Sequence, residues 1–264
     1  MPSRRTWSAT NGRDYQDCPA REYLRRVCLP RNTDIEYGPA ALRGQAVHAW
    51  LRRAHQREPH QGCLATDLPD DPQSWAADRW VTTGEEAQVG HDALRWHPGI
   101  CPLATLPPDA IVRVEPKITV HDTVSDTVVI ANPDLLYRDC DGWVWREVKT
   151  TRRRQLPDGL GLLQAFPQLA VAVGLLWQGA LPGNRDTARI EVEQLSPTQG
   201  IVDVLVPADP AVRQVARQVV AELVTAWHDD SVAEPRPGEN CRTCEVSSWC
   251  PSAALDEQHP PATG

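Results

Sequence analysis

The chain has 264 residues, 41% apolar and 23% charged, an ordinary globular composition with room for one large core or two modest domains. Its formal charge of −8 argues against a protein that coats nucleic acid by bulk electrostatics. No apolar run approaches the roughly 18–20 residues that span a bilayer, and the N-terminal MPSRRTWSATNGRDY lacks the apolar core of a signal peptide, so a cytoplasmic protein without membrane contact is expected. The charge is uneven, however. Residues 1–60 hold eleven Arg, no Lys and six acids, which suits either a solvated helix face or a local grip on phosphates.

Residues 14–29, DYQDCPAREYLRRVCL, read as a short helix with Pro19 tolerated in its first turn. Residues 39–57 carry Leu42, Ala46, Val47, Trp50, Leu51 and Ala54 at helical spacing. Residues 58–110 form an insertion of unclear structure, in which Pro and Asp clusters surround one helix near 75–88 and HPGICPLATLPPD reads as a loop. From residue 111 the texture turns β-branched and aromatic. IVRVEPKITVHD, DTVVIANPDLLYRD and GWVWREVKT predict an antiparallel meander of three strands, with a turn at Asp141–Gly142.

LLQAFPQLAVAVGLLWQG predicts a buried helix that starts or kinks at Pro167. DTARIEVEQLSPTQGIVDVLVP predicts one or two further strands. DPAVRQVARQVVAELVTAWHDD is the clearest amphipathic helix, with Val212, Val215, Ala216, Val219, Leu223 and Trp227 on one face and Asp209–Pro210 at its start. A turn-rich, cysteine-bearing tail follows over 238–251, and 252–264 is expected to be disordered. This order implies an α/β fold with a mixed central sheet flanked by helices on both faces.

The stretch NPDLLYRDCDGWVWREVKTTRR (132–153) carries the chemistry. Side chains alternate along a strand, so Trp143, Trp145, Glu147 and Lys149 share one face and Val144, Arg146 and Val148 the other. In a hairpin with the preceding strand, Asp134 reaches the face of Glu147. Two converging carboxylates repel unless a cation lies between them, and a hard cation such as Mg²⁺ also leaves coordination sites for water and a phosphate oxygen. Lys149 would then orient or deprotonate the attacking water, or neutralise charge on the phosphate. The bland alternative is a surface salt bridge worth about 0–1 kcal/mol.

Pro133–Asp134, twelve residues, then Glu147–Val148–Lys149 resembles the PD-(D/E)XK nuclease signature. RGQAVHAWL resembles the Gly-x-x-x-His helix of its RecB-like branch, with Gly44 and His48 at matching positions, and PQLAVAVGLL resembles the helix that carries a Gln in that branch. The resemblance implies a restriction-endonuclease-like core over residues 111–230, preceded by the helices of 14–57, in a single nuclease domain over 1–264. It implies Asp134, Glu147, His48 and the main-chain carbonyl of Val148 as ligands of Mg²⁺ or Mn²⁺, Lys149 as the catalytic lysine, and either Gln168 or Gln164 as the residue that positions it or a DNA phosphate. Ala131 stands where the family usually has Gly. Glu115, where relatives often carry an acid, reads equally well as an edge-strand Glu beside Lys117. Arg152, Arg153 and Arg154 follow the lysine strand and suit either phosphate contacts or a solvated loop.

Eight cysteines in a cytoplasmic chain are not expected to pair as disulfides. Cys28, Cys63, Cys101 and Cys140 are scattered and read as ordinary thiols. Cys241, Cys244 and Cys250 form C-x2-C-x5-C, whose close pair lets two sulfurs meet one metal centre, with a fourth ligand missing. A Zn²⁺ site or free thiols stay open. A C-terminal trio with one distant cysteine resembles the iron–sulfur RecB-like nucleases, which include AddB and the CRISPR-adaptation exonucleases. That resemblance implies a 4Fe–4S cluster on Cys18, Cys241, Cys244 and Cys250, with Cys18 chosen over Cys28 because YQDCPAREYL matches the pattern. Such a cluster would staple the N- and C-terminal segments together. The activity implied is DNA hydrolysis, as an exonuclease on ends or single strands in repair, recombination or CRISPR adaptation. The alternative is an inactive iron–sulfur DNA-binding or scaffold module. No G-x-x-x-x-G-K-[ST] motif occurs, so unwinding would fall to a partner such as a helicase.

Overall fold

The computed structural model of the chain describes residues 5–28, 38–122, 127–152, 157–229, 234–238, 241 and 244–252. Strand β1 (Arg5–Trp7) leads into helix α1 (Ala9–Asp17), whose first turn is capped by Ser8 accepting from the Asn11 N–H at 3.3 Å. The one helix expected over 14–29 is two. Cys18 is extended (φ −159°), and Pro19, with no N–H to continue the first helix, opens α2 (Pro19–Val27). Helix α3 (Pro39–His55) also starts on a proline and buries Ala46, Val47, Trp50, Leu51 and Ala54, as its periodicity predicts.

Residues 58–110 are more ordered than their composition suggests. Trp75 lies not in a helix but in a hairpin of β2 (Ser74–Ala77) and β3 (Trp80–Thr83), and helix α4 (Gly84–Leu94) comes after it. Asp78, at φ 51°, makes the turn, and Gly84, at φ 63°, swings the chain from strand to helix. The Trp75 indole N–H donates to the Ala87 carbonyl at 3.0 Å, so the ring packs on α4 instead of belonging to it. The loop expected after residue 96 contains two short 3₁₀ turns, His97–Gly99 and Pro102–Ala104.

The predicted three-strand meander is five strands shared between two sheets. β4 (Val112–Val114), β7 (Leu135–Arg138) and β8 (Trp143–Thr150) belong to a five-stranded sheet, completed by β9 (Arg189–Leu195) and β10 (Gly200–Leu205), in the order β10-β9-β8-β7-β4. β5 (Ile118–Asp122) and β6 (Thr127–Ala131) pair in a second sheet, where β1 joins β6 in parallel. Pro133 is buried between β6 and β7. Lacking a donor for a ladder, it ends one strand and lets the chain cross to the other sheet. Asp134 therefore stands at the mouth of β7.

β8 and β9 are parallel, and every other pair in the five-stranded sheet is antiparallel. A parallel pair needs a crossover. It includes α5 (Gly161–Ala165) and α6 (Pro167–Trp177), with the predicted break at Pro167, and α6 is apolar nearly all round because it is buried nearly all round. Helix α7 (Pro210–Asp229) follows β10, with Asp209 accepting from the Ala211 N–H at 2.8 Å; the Trp227 side chain lies outside the described residues.

The alternation of β8 divides the core in two. Leu136, Trp143, Trp145, Ile190 and Val192 pack with α1, α6 and α7, while Leu135, Tyr137, Val144, Val148 and Leu195 pack with α3 and α4. The result is a mixed sheet with helices on both faces, as expected. The β7–β8 turn is held by Asp139, whose Oδ1 accepts from the N–H groups of Asp141 and Gly142, both at 3.0 Å. A Cβ on Gly142 would stand 2.5 Å from Thr187 Oγ1 and 2.8 Å from its carbonyl oxygen. Gly142→Ala is therefore expected to cost about 1–3 kcal/mol, read as a lower urea midpoint with an unchanged slope.

Candidate active site

Asp134, Glu147, Lys149 and His48 converge where β8 leaves the sheet beside α3. β7 pairs with β8 so that Leu135 faces Arg146, which sets Asp134, one residue earlier, level with Glu147. Glu147 is only 4% exposed. Its Oε1 accepts from the Trp145 indole N–H at 3.0 Å and its Oε2 from Lys149 Nζ at 2.9 Å, three residues of one strand face bonded in a row. Asp134 Oδ2 accepts from the Val148 N–H at 2.7 Å, and Oδ1 meets His48 Nδ1 at 2.9 Å.

The electrostatics of the group are opposed in pairs. Burial pushes the Glu147 carboxyl above the ordinary carboxylate range, Lys149 pulls it back and Asp134 adds to the rise. Burial would also raise Asp134, but the charge and hydrogen bond of His48, with help from Lys149 and the Val148 N–H, bring it down to about 2. His48 and Lys149 would each lose proton affinity by burial; the neighbouring carboxylates outweigh that, and both are raised. Two carboxylates and an imidazole in one neighbourhood are oxygen and nitrogen donors of the kind that a hard divalent cation takes.

The surrounding residues are placed as follows. Gly44 lies one turn before His48, and a Cβ there would meet Thr150 Oγ1 at an ordinary 3.8 Å. The Lys149 ammonium is 5.8 Å from the Phe166 ring centroid, so the α5–α6 junction stands beside the lysine. Both candidate glutamines flank that junction, Gln164 exposed on α5 and Gln168 half-buried in the first turn of α6. Glu115 is not an edge-strand residue. It sits between β4 and β5 at φ 46°, its N–H donates to the Asp134 carbonyl at 3.1 Å, and its Oε2 accepts from Arg52 at 2.9 Å. Arg52 also pairs with Asp78. A non-glycine residue with positive φ is uncommon, and here it ties the backbone of Asp134 to α3. Arg152 forms exposed ion pairs with Glu85 at 2.6 Å and Glu86 at 2.8 Å, both in the first turn of α4. Arg153 and Arg154 lie outside the described residues.

The distant cysteines also share one cavity. Cys18, Cys241, Cys244 and Cys250 line one cavity of about 270 Å³, together with Arg21 and Val246. None is in a disulfide. The backbone N–H groups of Arg236 and Gly238 donate to Cys18 Sγ at 3.4 Å and Cys241 Sγ at 3.3 Å, and burial pushes the Cys244 thiol up. Around the cavity Glu245 accepts from Arg21 at 2.9 Å and forms an ion pair with Arg25 at 3.0 Å, joining α2 to the tail. Four sulfurs lining one half-buried space, two of them with backbone donors, form a donor set that fits an iron–sulfur cluster or a thiolate-bound metal.

The sequence profile of the PD-(D/E)XK nuclease superfamily matches residues 6–251. The chain belongs to that superfamily. No curated protein matches it. Among solved structures it is similar to the protein SSO0001 (15% identity, 96% of this chain and 89% of that one covered, TM-score 0.46) and to a proposed exonuclease from Eubacterium rectale (9% identity, 89% and 91% covered, TM-score 0.45). The two strings that the superfamily's name abbreviates, Pro133–Asp134 and Glu147–Val148–Lys149, are the ones that lie side by side here.

Two features escape a reading of the sequence. One is Arg146, whose Nη1 donates to Glu191 at 2.6 Å and whose Nε donates to Glu193 at 2.9 Å, all three buried behind the site. The other is that Cys63 and Cys101 are not scattered thiols but lie together, with His55 and His97. In the metal-free protein the Glu147–Lys149 pair sets a test of the geometry. Lys149→Met is expected to cost about 3 kcal/mol by stranding a buried carboxylate, and Glu147→Gln combined with it to restore most of that loss. Additive single effects in a double-mutant cycle would contradict the contact.

Proposed function

We propose that this PD-(D/E)XK protein is a metal-dependent DNA nuclease of the RecB-like type, acting as an exonuclease on DNA ends or single strands. The observation that carries the reading is the convergence of Asp134, Glu147, His48 and Lys149 at one end of β8. Asp134, Glu147, His48 and the Val148 carbonyl would hold Mg²⁺ or Mn²⁺. When bound, such an ion supplies an activated water and charge for the phosphate oxygens. The chain does the rest. Trp145 and the Val148 N–H hold the two carboxylates in place, and Lys149, two residues from Glu147 on the same face, orients the attacking water or neutralises the phosphate. Gln168, or Gln164, positions the lysine or a DNA phosphate from the α5–α6 junction. Arg152, Arg153 and Arg154 would contact the backbone near the scissile bond, with Arg152 exchanging its exposed acidic partners for phosphate.

Cys18, Cys241, Cys244 and Cys250 would carry a 4Fe–4S cluster with a structural role. The first two of these lie 223 positions apart, and closing so long a loop removes conformational freedom from the unfolded chain. The cluster would thus hold α2 and the tail together, and with them the single nuclease domain between. DNA is the substrate partner, and a helicase or other repair or CRISPR proteins would supply any unwinding.

Labelled single- and double-stranded DNA with Mg²⁺ or Mn²⁺ tests the activity. The parent chain is expected to degrade it, and Glu147→Ala and Lys149→Ala to lose roughly 100-fold or more; variants as active as the parent would show that the catalysis lies elsewhere. Anaerobic purification tests the cluster. Iron and sulfide with a broad visible absorption are expected, lost in Cys241→Ala and Cys244→Ala, whereas a colourless protein without iron would overturn it.

A further inference from the structure

We propose a second metal centre, a buried Zn²⁺ site formed by His55, Cys63, His97 and Cys101. The four side chains come from the end of α3, the loop after it and the 3₁₀ turn at residues 97–99 with its exit. Each is nearly inaccessible, at 4%, 5%, 0% and 4% exposure in that order. Their ligand atoms all lie within 4.8 Å of one another. His55 Nε2 and His97 Nε2 are 3.0 Å apart, and Cys101 Sγ is 3.8 Å from His55 Nε2. Tetrahedral zinc with bonds of about 2.0–2.1 Å to nitrogen and about 2.3 Å to sulfur places its ligand atoms about 3.3–3.8 Å apart. The side chains stand close to that spacing.

The residues behind the cluster favour a metal over a set of mutually bonded thiols and imidazoles. His97 Nδ1 meets Glu193 Oε1 at 2.5 Å. A carboxylate only accepts there, so the ring proton is fixed on Nδ1 and the Nε2 lone pair is turned into the cluster, as in carboxylate–histidine–zinc sites. Glu193 is itself held by Arg146. His55 then presents its Nε2 to the same point. Thiols are weak donors and cannot satisfy two buried imidazoles well. A divalent ion accepts all four lone pairs, and with two thiolates it forms a neutral unit, so burial costs little and the Glu193–Arg146 pair stays balanced.

Zinc at this position would act as a structural pin. His55 is seven residues, about two helical turns, beyond His48 on α3. Glu193 is the ladder partner of Val148. The ion would tie residues 58–101, with the β2–β3 hairpin and α4, to the helix and the strand pair that frame the candidate active site. The proposal does not depend on nuclease activity.

The test uses the full chain, purified anaerobically and washed with a chelator. About one zinc per chain is expected, with zinc-edge X-ray absorption reading two sulfur and two nitrogen neighbours. Cys63→Ser/Cys101→Ser is expected to lose the zinc and keep the iron, and Cys241→Ser/Cys244→Ser to keep the zinc. Should the first variant not fold, Co²⁺ exchanged into the parent chain gives an independent reading, a tetrahedral spectrum with thiolate charge transfer. A chain that retains no zinc and takes up no Co²⁺, or one whose zinc has four sulfur neighbours, would overturn the proposal.

Discussion

A strand covered on both faces has no water to solvate a charge, and β8 carries Arg146, Glu147 and Lys149 in four consecutive positions. Everything near the site follows from how those charges are answered. On one face Glu147 is held between the Trp145 indole and the Lys149 ammonium. On the other, Arg146 is answered by Glu191 and Glu193 from the parallel neighbour β9. An apolar strand would pack as well at lower cost, because desolvating paired ions gains little over hydrophobic burial. Charges kept at such positions point to chemistry on one face and to its support on the other.

Support reaches the site through α3. His48 meets Asp134 from that helix, Arg52, one turn on, holds Glu115, and Glu115 in turn donates its backbone N–H to the Asp134 carbonyl. Asp134 is thereby fixed through both its side chain and its main chain, although it stands outside any strand. Further along the same helix His55 enters the buried His/Cys cluster, whose outer partner Glu193 is the partner of Arg146. The two faces of β8 thus share one brace. The chain ends form a separate one, where α2 and the tail meet across the four cysteines and the Glu245 ion pairs.

The fold was legible where local rules suffice. Apolar residues spaced three and four apart in α3 and α7, Pro167 between α5 and α6, and Asp209 before α7 act within a few residues, and each element stands where they point. Between 111 and 138 the sequence does not resolve the strands, because alternation reports that a segment is extended, not which sheet it joins. That choice is made by Pro133 and by the pairing of β1 with β6, a contact more than a hundred residues long in sequence. Trp75 falls in a helical pattern for a similar reason. Its apolar neighbours fit either period until the turn at Asp78 decides.

The sequence alone determined the donor types and their order: Asp134, Glu147 and Lys149 on the strand region, His48 on a helix, and cysteines at both ends. Strand periodicity and helix spacing set which of these can share a face. Only the tertiary structure decided that Asp134 is tied to the Val148 N–H, that Glu115 is turned toward α3, and that Arg152 is already engaged by Glu85 and Glu86. It alone brought His55, Cys63, His97 and Cys101 together. Only His97 and Cys101 stand close along the chain; bringing them to His55 and Cys63 depends on the packing of α3 against β8, which no local pattern encodes.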